Sequence, residues 1–178
     1  MRINLFAGPG AGKSTTSAWI FAELKKKGYS VELVSEYVKG WAISNRPVVG
    51  FDQVYLLGKQ MQYEWRLIAN GIKTIVTDSP ILLSACYAKL YCEELNIHSH
   101  MEAIVAEYEK RNPSINIFLN RDNKPYKTEG RYQSENQAKE LDLIVRDTLN
   151  RLTIPYTEFS FYNEQGILKH VIDNLYEY

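Results

Sequence analysis

The sequence has few cysteines, no excess of charge of either sign and no long apolar run. Its 178 residues include 2 cysteines, and 21 lysines and arginines balance 21 aspartates and glutamates. This balance gives no overall field that would draw the chain onto nucleic acid or an anionic membrane. No apolar stretch approaches the roughly 18 residues of a membrane span, and the first residues lead directly into an apolar run. We therefore expect a cytoplasmic protein with no membrane partner.

The two cysteines indicate neither a disulfide nor a metal site. Cys86 and Cys92 lie six residues apart in a predicted helix, which places them about 240° apart around the helix axis. His98 and His100 follow, but the spacing matches no zinc pattern. We expect free thiols and no metal other than one that accompanies a nucleotide.

A glycine-rich loop directly after the first apolar run is the strongest signal in the sequence. Residues 7–15 read Ala-Gly-Pro-Gly-Ala-Gly-Lys-Ser-Thr and open a helix-like stretch. This is the context of a phosphate-binding P-loop, in which backbone N–H groups point at phosphate oxygens and the helix N-terminus adds positive charge. The motif departs from the strict pattern only at Ala7, which fits if its φ is negative. The predicted nucleotide-binding residues are Gly8, Pro9, Gly10, Ala11, Gly12, Lys13, Ser14 and Thr15.

The side chains of this loop predict separate roles on a bound triphosphate. Lys13 would reach the β- and γ-phosphates, Ser14 would hold Mg²⁺, and Thr15 would lie beside the α-phosphate. ATP and Mg²⁺ are therefore the expected cofactors.

Strand and helix signals alternate along the chain without a repeat or a linker, which favours an α/β fold with a parallel sheet covered by helices. The length predicts one domain, residues 1–178. The predicted strands are 3–7, 31–35, 74–77, 115–119 and 156–159, and the predicted helices are 13–27, 51–70, 81–94, 99–110, a long helix from Ser134, and 166–178. Asp52 is the predicted N-cap of the second helix, and Ser134 with Gln137 has capping-box spacing.

A polar segment, residues 120–133, precedes the long helix and is the predicted lid. Its cations are Arg121, Lys124, Lys127 and Arg131, against Asp122 and Glu129. Positioned guanidinium groups stabilise the charge that spreads over a transferring phosphoryl group. We therefore predict catalytic roles for Arg121 and Arg131; the alternative is a charged loop that only faces water.

Two carboxylates end predicted strands at the edge where open α/β sheets bind ligands. Asp78 holds the place of a Walker B carboxylate and would act in catalysis by orienting Mg²⁺ or its waters; the alternative is a capping role before Pro80. Glu36, beside Tyr37, would accept the hydroxyl proton of a bound acceptor; the alternative is a solvated strand-end glutamate.

Aromatic residues are concentrated between the second and third predicted strands, where an acceptor pocket could form. They are Tyr37, Trp41, Phe51, Tyr55, Tyr63 and Trp65. A base stacked on an aromatic ring and read by an amide would use Tyr37, Trp41 and Gln60, which are the predicted substrate-binding residues. The alternative is that these rings belong to the core.

Several of these motifs together resemble the small nucleoside and nucleotide kinases of the P-loop superfamily, over most of the chain. The loop at 7–15 is similar to that of adenylate-kinase-type enzymes. Glu36-Tyr37, and Gly130-Arg131 before the helix that leads into Ile154-Pro155-Tyr156, resemble the nicotinamide riboside kinase group. The resemblance implies a P-loop three-layer sandwich with strand order 2-3-1-4-5, a small lid, a carboxylate base at Glu36 and lid arginines at Arg121 and Arg131.

One departure leaves the acceptor open. Related deoxynucleoside kinases follow the third strand with a charged arginine-bearing motif, whereas this chain has Asp78-Ser79-Pro80. The pattern is also similar to phage-encoded kinases, including those that phosphorylate 5-hydroxymethyluracil in DNA; a phage origin would place the protein in the host cytoplasm. The acceptor is thus a free nucleoside, a nucleoside monophosphate or a hydroxymethylated base in DNA.

Other P-loop functions fit the sequence less well. A GTPase needs N-K-x-D and D-x-x-G, but the chain has Asn120-Arg121-Asp122-Asn123 and Asp78-Ser79-Pro80-Ile81 at the corresponding places. A motor or helicase needs a larger core and arginine fingers from neighbouring subunits. A kinase that transfers the γ-phosphate of ATP is the predicted function, with a nucleoside monophosphate kinase and a non-catalytic nucleotide-binding regulator as alternatives.

Overall fold

The first strand lies at the centre of a parallel sheet, and the P-loop follows directly after its last residue. A computed structural model describes residues 1–122, 125–128 and 131–175. The sheet order is β2-β3-β1-β4-β5 and each neighbouring pair is parallel, which confirms the predicted order. The strands are β1 Arg2–Phe6, β2 Val31–Val34, β3 Thr74–Thr77, β4 Ser114–Asn120 and β5 Thr157–Ser160.

Helices cover both faces of the sheet. They are α1 Lys13–Lys26, α2 Lys39–Ile43, α3 Asp52–Ala69, α4 Leu82–Tyr91, α5 His98–Arg111, α6 Glu135–Arg151 and α7 Glu164–Leu175, with a 3₁₀ turn at Glu93–Leu95. None of the described helices is long and apolar enough to cross a bilayer. The end of the last predicted helix, residues 176–178, and the lid residues Lys124, Glu129 and Gly130 lie outside the described residues.

Alternating side chains of β1 belong to two separate hydrophobic cores. Ile3 and Leu5 pack with apolar residues of α1 and α7 on one face. Phe6 packs on the other face with residues from α3, α4, α5 and α6. Because successive strand residues point to opposite faces, one apolar strand can serve both cores. The result is the predicted three-layer sandwich.

The ends of two helices test the capping predictions. Ser134 caps α6, accepting the Gln137 N–H while the Gln137 side chain accepts the Ser134 N–H, so the capping box is confirmed. The prediction for Asp52 is wrong, because Asp52 is the first helical residue of α3 and Phe51 precedes it as N-cap. The Asp52 carboxylate instead accepts the N–H of Val49 at 3.0 Å, which closes the preceding turn.

A buried ion cluster lies at the end of β1 opposite the P-loop. The guanidinium of Arg2, 1% exposed, lies 3.3 Å from a carboxylate oxygen of Glu64 and 2.5 Å from one of Glu109. It also donates to the backbone oxygen of Asn112 and lies over the ring of Tyr108. Burial raises the pKa of Glu64 to about 7, although the Arg2 charge opposes this shift.

The cluster predicts a specific dependence of stability on pH. Glu64 has an ordinary pKa near 4.5 when unfolded and about 7 when folded, so the folded chain holds this proton more tightly. Its contribution is fully present below pH 4.5 and is lost as the pH rises through 7, by about 3 kcal/mol in the free energy of unfolding. Urea denaturation between pH 5 and 8 measures this loss, and Glu64→Gln should remove it.

The matched control is Glu93→Gln, which alters an exposed glutamate and should keep the wild-type pH dependence. Equal pH dependence in Glu64→Gln and the wild type would contradict the assignment.

Candidate functional site

The P-loop adopts a conformation that requires glycine at two positions. Gly10 has a φ of 83° and Gly12 a φ of 103°, in the left-handed region that L side chains rarely occupy. Ala7 is fully buried, and its φ is not among the positive ones, so the departure from the strict motif is accommodated. Gly12 precedes α1 and its carbonyl accepts the N–H of Thr16 at 2.9 Å, which starts the helix at the loop.

The Lys13 side chain folds back over the loop. Its ammonium donates to the backbone oxygens of Ala7 at 2.8 Å and Gly8 at 3.0 Å. Burial lowers the pKa of Lys13, while the charges of Glu36 and Asp78 oppose that shift. The ammonium is therefore held at the loop, close to two carboxylates.

A cavity of about 500 Å³ extends from the P-loop between α3, α4 and the segment after β2. Its loop end is formed by Pro9, Gly10, Gly12, Lys13, Ser14 and Thr15. Its far wall carries aromatic, amide and aliphatic side chains, among them Tyr37, Gln53, Leu56, Gln60, Tyr87 and Tyr91. The backbone of the P-loop and a wall of aromatic, amide and aliphatic side chains thus face the same space.

The two predicted carboxylates lie together but differ in exposure to the cavity. Glu36 lines the cavity, and burial raises its pKa while the Lys13 charge opposes this. Asp78 is only 6% exposed and is not among the described residues that line the cavity. Its Oδ1 accepts the backbone N–H of Glu36 at 3.1 Å. The position of Asp78 therefore includes a structural role, which is to hold the end of β2 against the end of β3.

The predicted substrate-binding residues separate into two groups. Tyr37 and Gln60 line the cavity, and Gln60 Nε2 donates to the Thr77 hydroxyl at 3.1 Å. Counting contacts with described residues, Gln60 keeps its carbonyl oxygen and a second N–H for a ligand. Trp41 is absent from the described cavity lining, so its contact with a substrate stays a prediction. Its ring is stacked with Tyr55 and covered by the Arg46 guanidinium at 3.5 Å.

The two predicted lid arginines also have different surroundings. Arg131 lines the cavity, lies 5.3 Å from the centre of the Tyr126 ring and has a buried Nη1 with no hydrogen-bond partner among the described residues. A buried guanidinium nitrogen without a partner is available to an anion. The guanidinium of Arg121 is bound to Asp142 and to backbone oxygens, and Arg121 is absent from the described cavity lining. Its catalytic role stays a prediction.

Sequence reasoning missed Tyr87, Tyr91 and Asp142. Tyr87 and Tyr91 are four residues apart on α4 and stack with ring centres 6.3 Å apart in the cavity wall. Together with Leu83 and Ser84 they form one helical face, which the spacing after Pro80 would have revealed. Asp142 has no local signal, because its contacts are with residues more than 20 positions away.

The comparison with protein families identifies the class to which this site belongs. A family model described as an AAA domain matches residues 2–164. The chain belongs to this AAA domain family. The match contains residues 7–15 and all five strands of the sheet. No curated protein sequence matches the chain.

Three solved structures of deoxyadenosine kinase from M. mycoides share the fold of this AAA domain. Each alignment covers 100% of this chain and 100% of the kinase chain. The one with bound dCTP has a TM-score of 0.59 and 19% identity, and the one with bound dATP has 0.58 and 20%. The one with dCMP and a flexible dCDP has 0.58 and 18%. At this identity the likeness establishes the architecture.

The left-handed conformation of Gly10 makes a direct test of the loop. In Gly10→Ala the new Cβ would lie 2.7 Å from the Tyr126 ring at a φ of 83°. The backbone strain alone amounts to roughly 1–2 kcal/mol, so we expect about a tenfold or greater loss of nucleotide affinity, measured by calorimetry with a non-hydrolysable ATP analogue.

Gly40→Ala is the control, because a Cβ added at that glycine would meet nothing within 4 Å and its φ is not positive. Unchanged affinity in Gly10→Ala would show that the loop does not bind phosphate in this conformation.

Proposed function

We propose that the protein is an ATP-dependent kinase that transfers the γ-phosphate to a hydroxyl group of a nucleoside. The observation that carries this proposal is the cavity in which the P-loop faces a wall of aromatic and amide side chains, with Glu36 in the lining. A regulator that only binds nucleotide needs no second wall of this kind. The full-length likeness of fold to deoxyadenosine kinase supports the same activity.

The charges that line the cavity favour a neutral acceptor over a nucleoside monophosphate. Among the described lining residues, the cations are Lys13, Lys39 and Arg131, and the acid is Glu36. Lys13 and Arg131 are needed for the donor triphosphate, which leaves only the exposed Lys39 for an acceptor phosphate. Monophosphates are bound in proteins by bidentate arginines. A nucleoside therefore fits this wall better than its monophosphate.

In this proposal each group of the site has a role in phosphoryl transfer. Backbone N–H groups from Gly10 to Thr15 bind the phosphates, and Lys13 and Arg131 neutralise the charge that develops on the transferring group. Glu36 takes the proton of the acceptor hydroxyl. The Tyr37 ring and the free polar atoms of the Gln60 amide contact the base.

The oxygen donors at the loop fit a magnesium ion. The Ser14 hydroxyl would be a direct ligand, and the Asp78 carboxylate, which is not part of the described cavity lining, would act through a bound water. Both are hard oxygen donors, and Mg²⁺ characteristically takes one or two of these from the protein and the rest from phosphates and water. The ion, when bound, would offset the charge of the β- and γ-phosphates.

A hydroxymethylated base in DNA is the second candidate acceptor, and one observation favours it. Aromatic rings and cations alternate beside Tyr37 of the cavity lining: Arg46 covers Trp41, Trp41 stacks on Tyr55, and the Lys59 ammonium lies over Tyr55. The Trp41 ring is buried, and Tyr55 is 44% exposed. Cations beside an exposed aromatic ring are part of the chemistry by which proteins hold single-stranded nucleic acid.

Transfer of label from γ-³²P-ATP tests the proposal and separates the acceptors. We expect label on deoxynucleosides or on 5-hydroxymethyl-deoxyuridine, and little on monophosphates. Label on a hydroxymethyluracil oligonucleotide, with an apparent affinity that falls steeply as salt is raised, would select the second candidate. Lys13→Ala is the control that should abolish every transfer. Label that moves only to water would contradict the kinase assignment.

The pH dependence of the reaction tests Glu36 separately. Because burial raises the pKa of Glu36 and only the carboxylate accepts a proton, kcat/KM should rise with pH along a limb whose midpoint lies above the ordinary glutamate value. In Glu36→Gln we expect kcat lower by about 10²–10⁴-fold and loss of that limb.

Glu32→Gln, in β2 just before this position and paired with Lys25 at the surface, should behave as the wild type. A retained acidic limb in Glu36→Gln would assign the proton transfer to another group.

A further inference from the structure

Asp142 on α6 bonds to two parts of the site that are distant in sequence. Its Oδ1 accepts the backbone N–H of Gly8, in the P-loop, at 2.5 Å. The same carboxylate pairs with Arg121, whose Nε donates to Oδ2 and whose Nη2 lies 3.2 Å from Oδ1. Both side chains are 14% exposed, so bulk solvent screens the pair only weakly.

Arg121 extends this link to the loop itself. Its Nη1 donates to the backbone oxygen of Pro9 at 2.6 Å, and its Nη2 donates to that of Ala138 at 3.1 Å. Each of the three guanidinium nitrogens therefore has an acceptor. One carboxylate and one guanidinium together bind the N–H of Gly8 and the carbonyl of Pro9.

The contact between loop and helix is close enough to require glycine. A Cβ on Gly8 would lie 2.4 Å from the backbone oxygen of Ala138 on α6, 2.8 Å from Arg121 Nη2 and 3.1 Å from Asp142 Oδ1. The first half of the P-loop thus packs directly on the α6 backbone, and its position depends on that of the helix.

We propose that Asp142 and Arg121 are positioning residues that hold residues 8 and 9 against α6, so that residues 10–15 keep the curvature that binds phosphate. This inference rests on the proposed nucleotide site and adds to it two residues that act through the loop. The pairing has an electrostatic reason. A carboxylate next to the P-loop would repel a triphosphate, and Arg121 neutralises it while holding it in place.

Two roles for Arg121 give opposite expectations in Asp142→Ala. If Arg121 and Asp142 position the loop, removing the carboxylate weakens nucleotide binding. If Arg121 instead grips the γ-phosphate, removing its carboxylate partner frees the guanidinium and leaves nucleotide binding unchanged or tighter. The sign of the change therefore distinguishes positioning from direct contact.

Calorimetry with a non-hydrolysable ATP analogue and Mg²⁺ measures this change. We expect Asp142→Ala and Arg121→Ala each to raise the Kd by about tenfold or more, with Arg121→Ala the more severe because it leaves an unpaired carboxylate beside the phosphates. The double variant should be no worse than Arg121→Ala, because the two residues act as one unit. Asp142→Asn, which can still accept the Gly8 N–H, should recover part of the loss.

Matched controls separate this effect from general damage to α6. Asp147→Ala removes an exposed carboxylate of the same helix, paired with Lys89 at 3.3 Å, and should leave the Kd unchanged. Gly8→Ala, whose Cβ would lie 2.4 Å from the Ala138 oxygen and 2.8 Å from Arg121 Nη2, should push the loop away from α6 and weaken binding. Gly58→Ala, on the exposed surface of α3, should leave binding unchanged. Thermal unfolding confirms that each variant is folded.

Steady-state kinetics supply a readout that a purely structural role would not move. The KM for ATP should rise in Asp142→Asn while the KM for the acceptor stays at the wild-type value. Wild-type Kd values in Asp142→Ala, or additive effects in the double variant, would overturn the inference. If the chain binds nucleotide but phosphorylates no acceptor, the proposed kinase function fails while the Kd comparison still decides this inference; if it binds no nucleotide, both fall.

Discussion

The backbone of the P-loop is the constraint on which the rest of the structure depends. Its N–H groups can converge on an anion only if residues 10 and 12 take left-handed conformations, and both are glycine with positive φ. Such a loop has few contacts of its own, so its shape must be held from outside. Strand β1 holds one end, α1 holds the other, and α6 contacts the loop at Gly8, its second residue. The fold supplies three supports for one short segment.

The buried ion cluster and the charged residues that line the cavity lie at opposite ends of the sheet. Arg2, Glu64 and Glu109 form a buried ion cluster where β1 begins, far from the loop where it ends. Charges at the carboxyl edge, namely Lys13, Glu36 and Arg131, instead line a cavity. Charges that pair with one another inside the protein have no group left for a ligand, whereas charges that face a cavity can still bind one.

The parts that could be predicted from sequence are those with a local cause. The P-loop, the parallel sheet and the capping box of α6 each follow from neighbouring residues, through glycine conformation, apolar alternation and paired side chains. The N-cap prediction for Asp52 is wrong because aspartate is favoured both at the N-cap and in the first turn of a helix. The aromatic residues predicted an acceptor wall, but the sequence could not show that the Trp41 ring is already in contact with Arg46 and Tyr55. The environment of Arg121 depends on Asp142, which is 21 residues away in the sequence, and no local sequence pattern extends that far.

The described residues between β4 and α6 contact both the P-loop and the segment that precedes α3. The Tyr126 ring lies against Gly10 at the P-loop, and its hydroxyl donates to the backbone oxygen of Gln133 at 2.7 Å. The Tyr132 hydroxyl donates to the backbone oxygen of Arg46, in the segment that precedes α3. Arg131 lies between these two tyrosines in the sequence and lines the cavity. These contacts tie the residues on either side of Arg131 to the P-loop and to the segment before α3. In the proposed kinase, a guanidinium held over the cavity in this way would help to exclude water and so favour transfer to an acceptor hydroxyl.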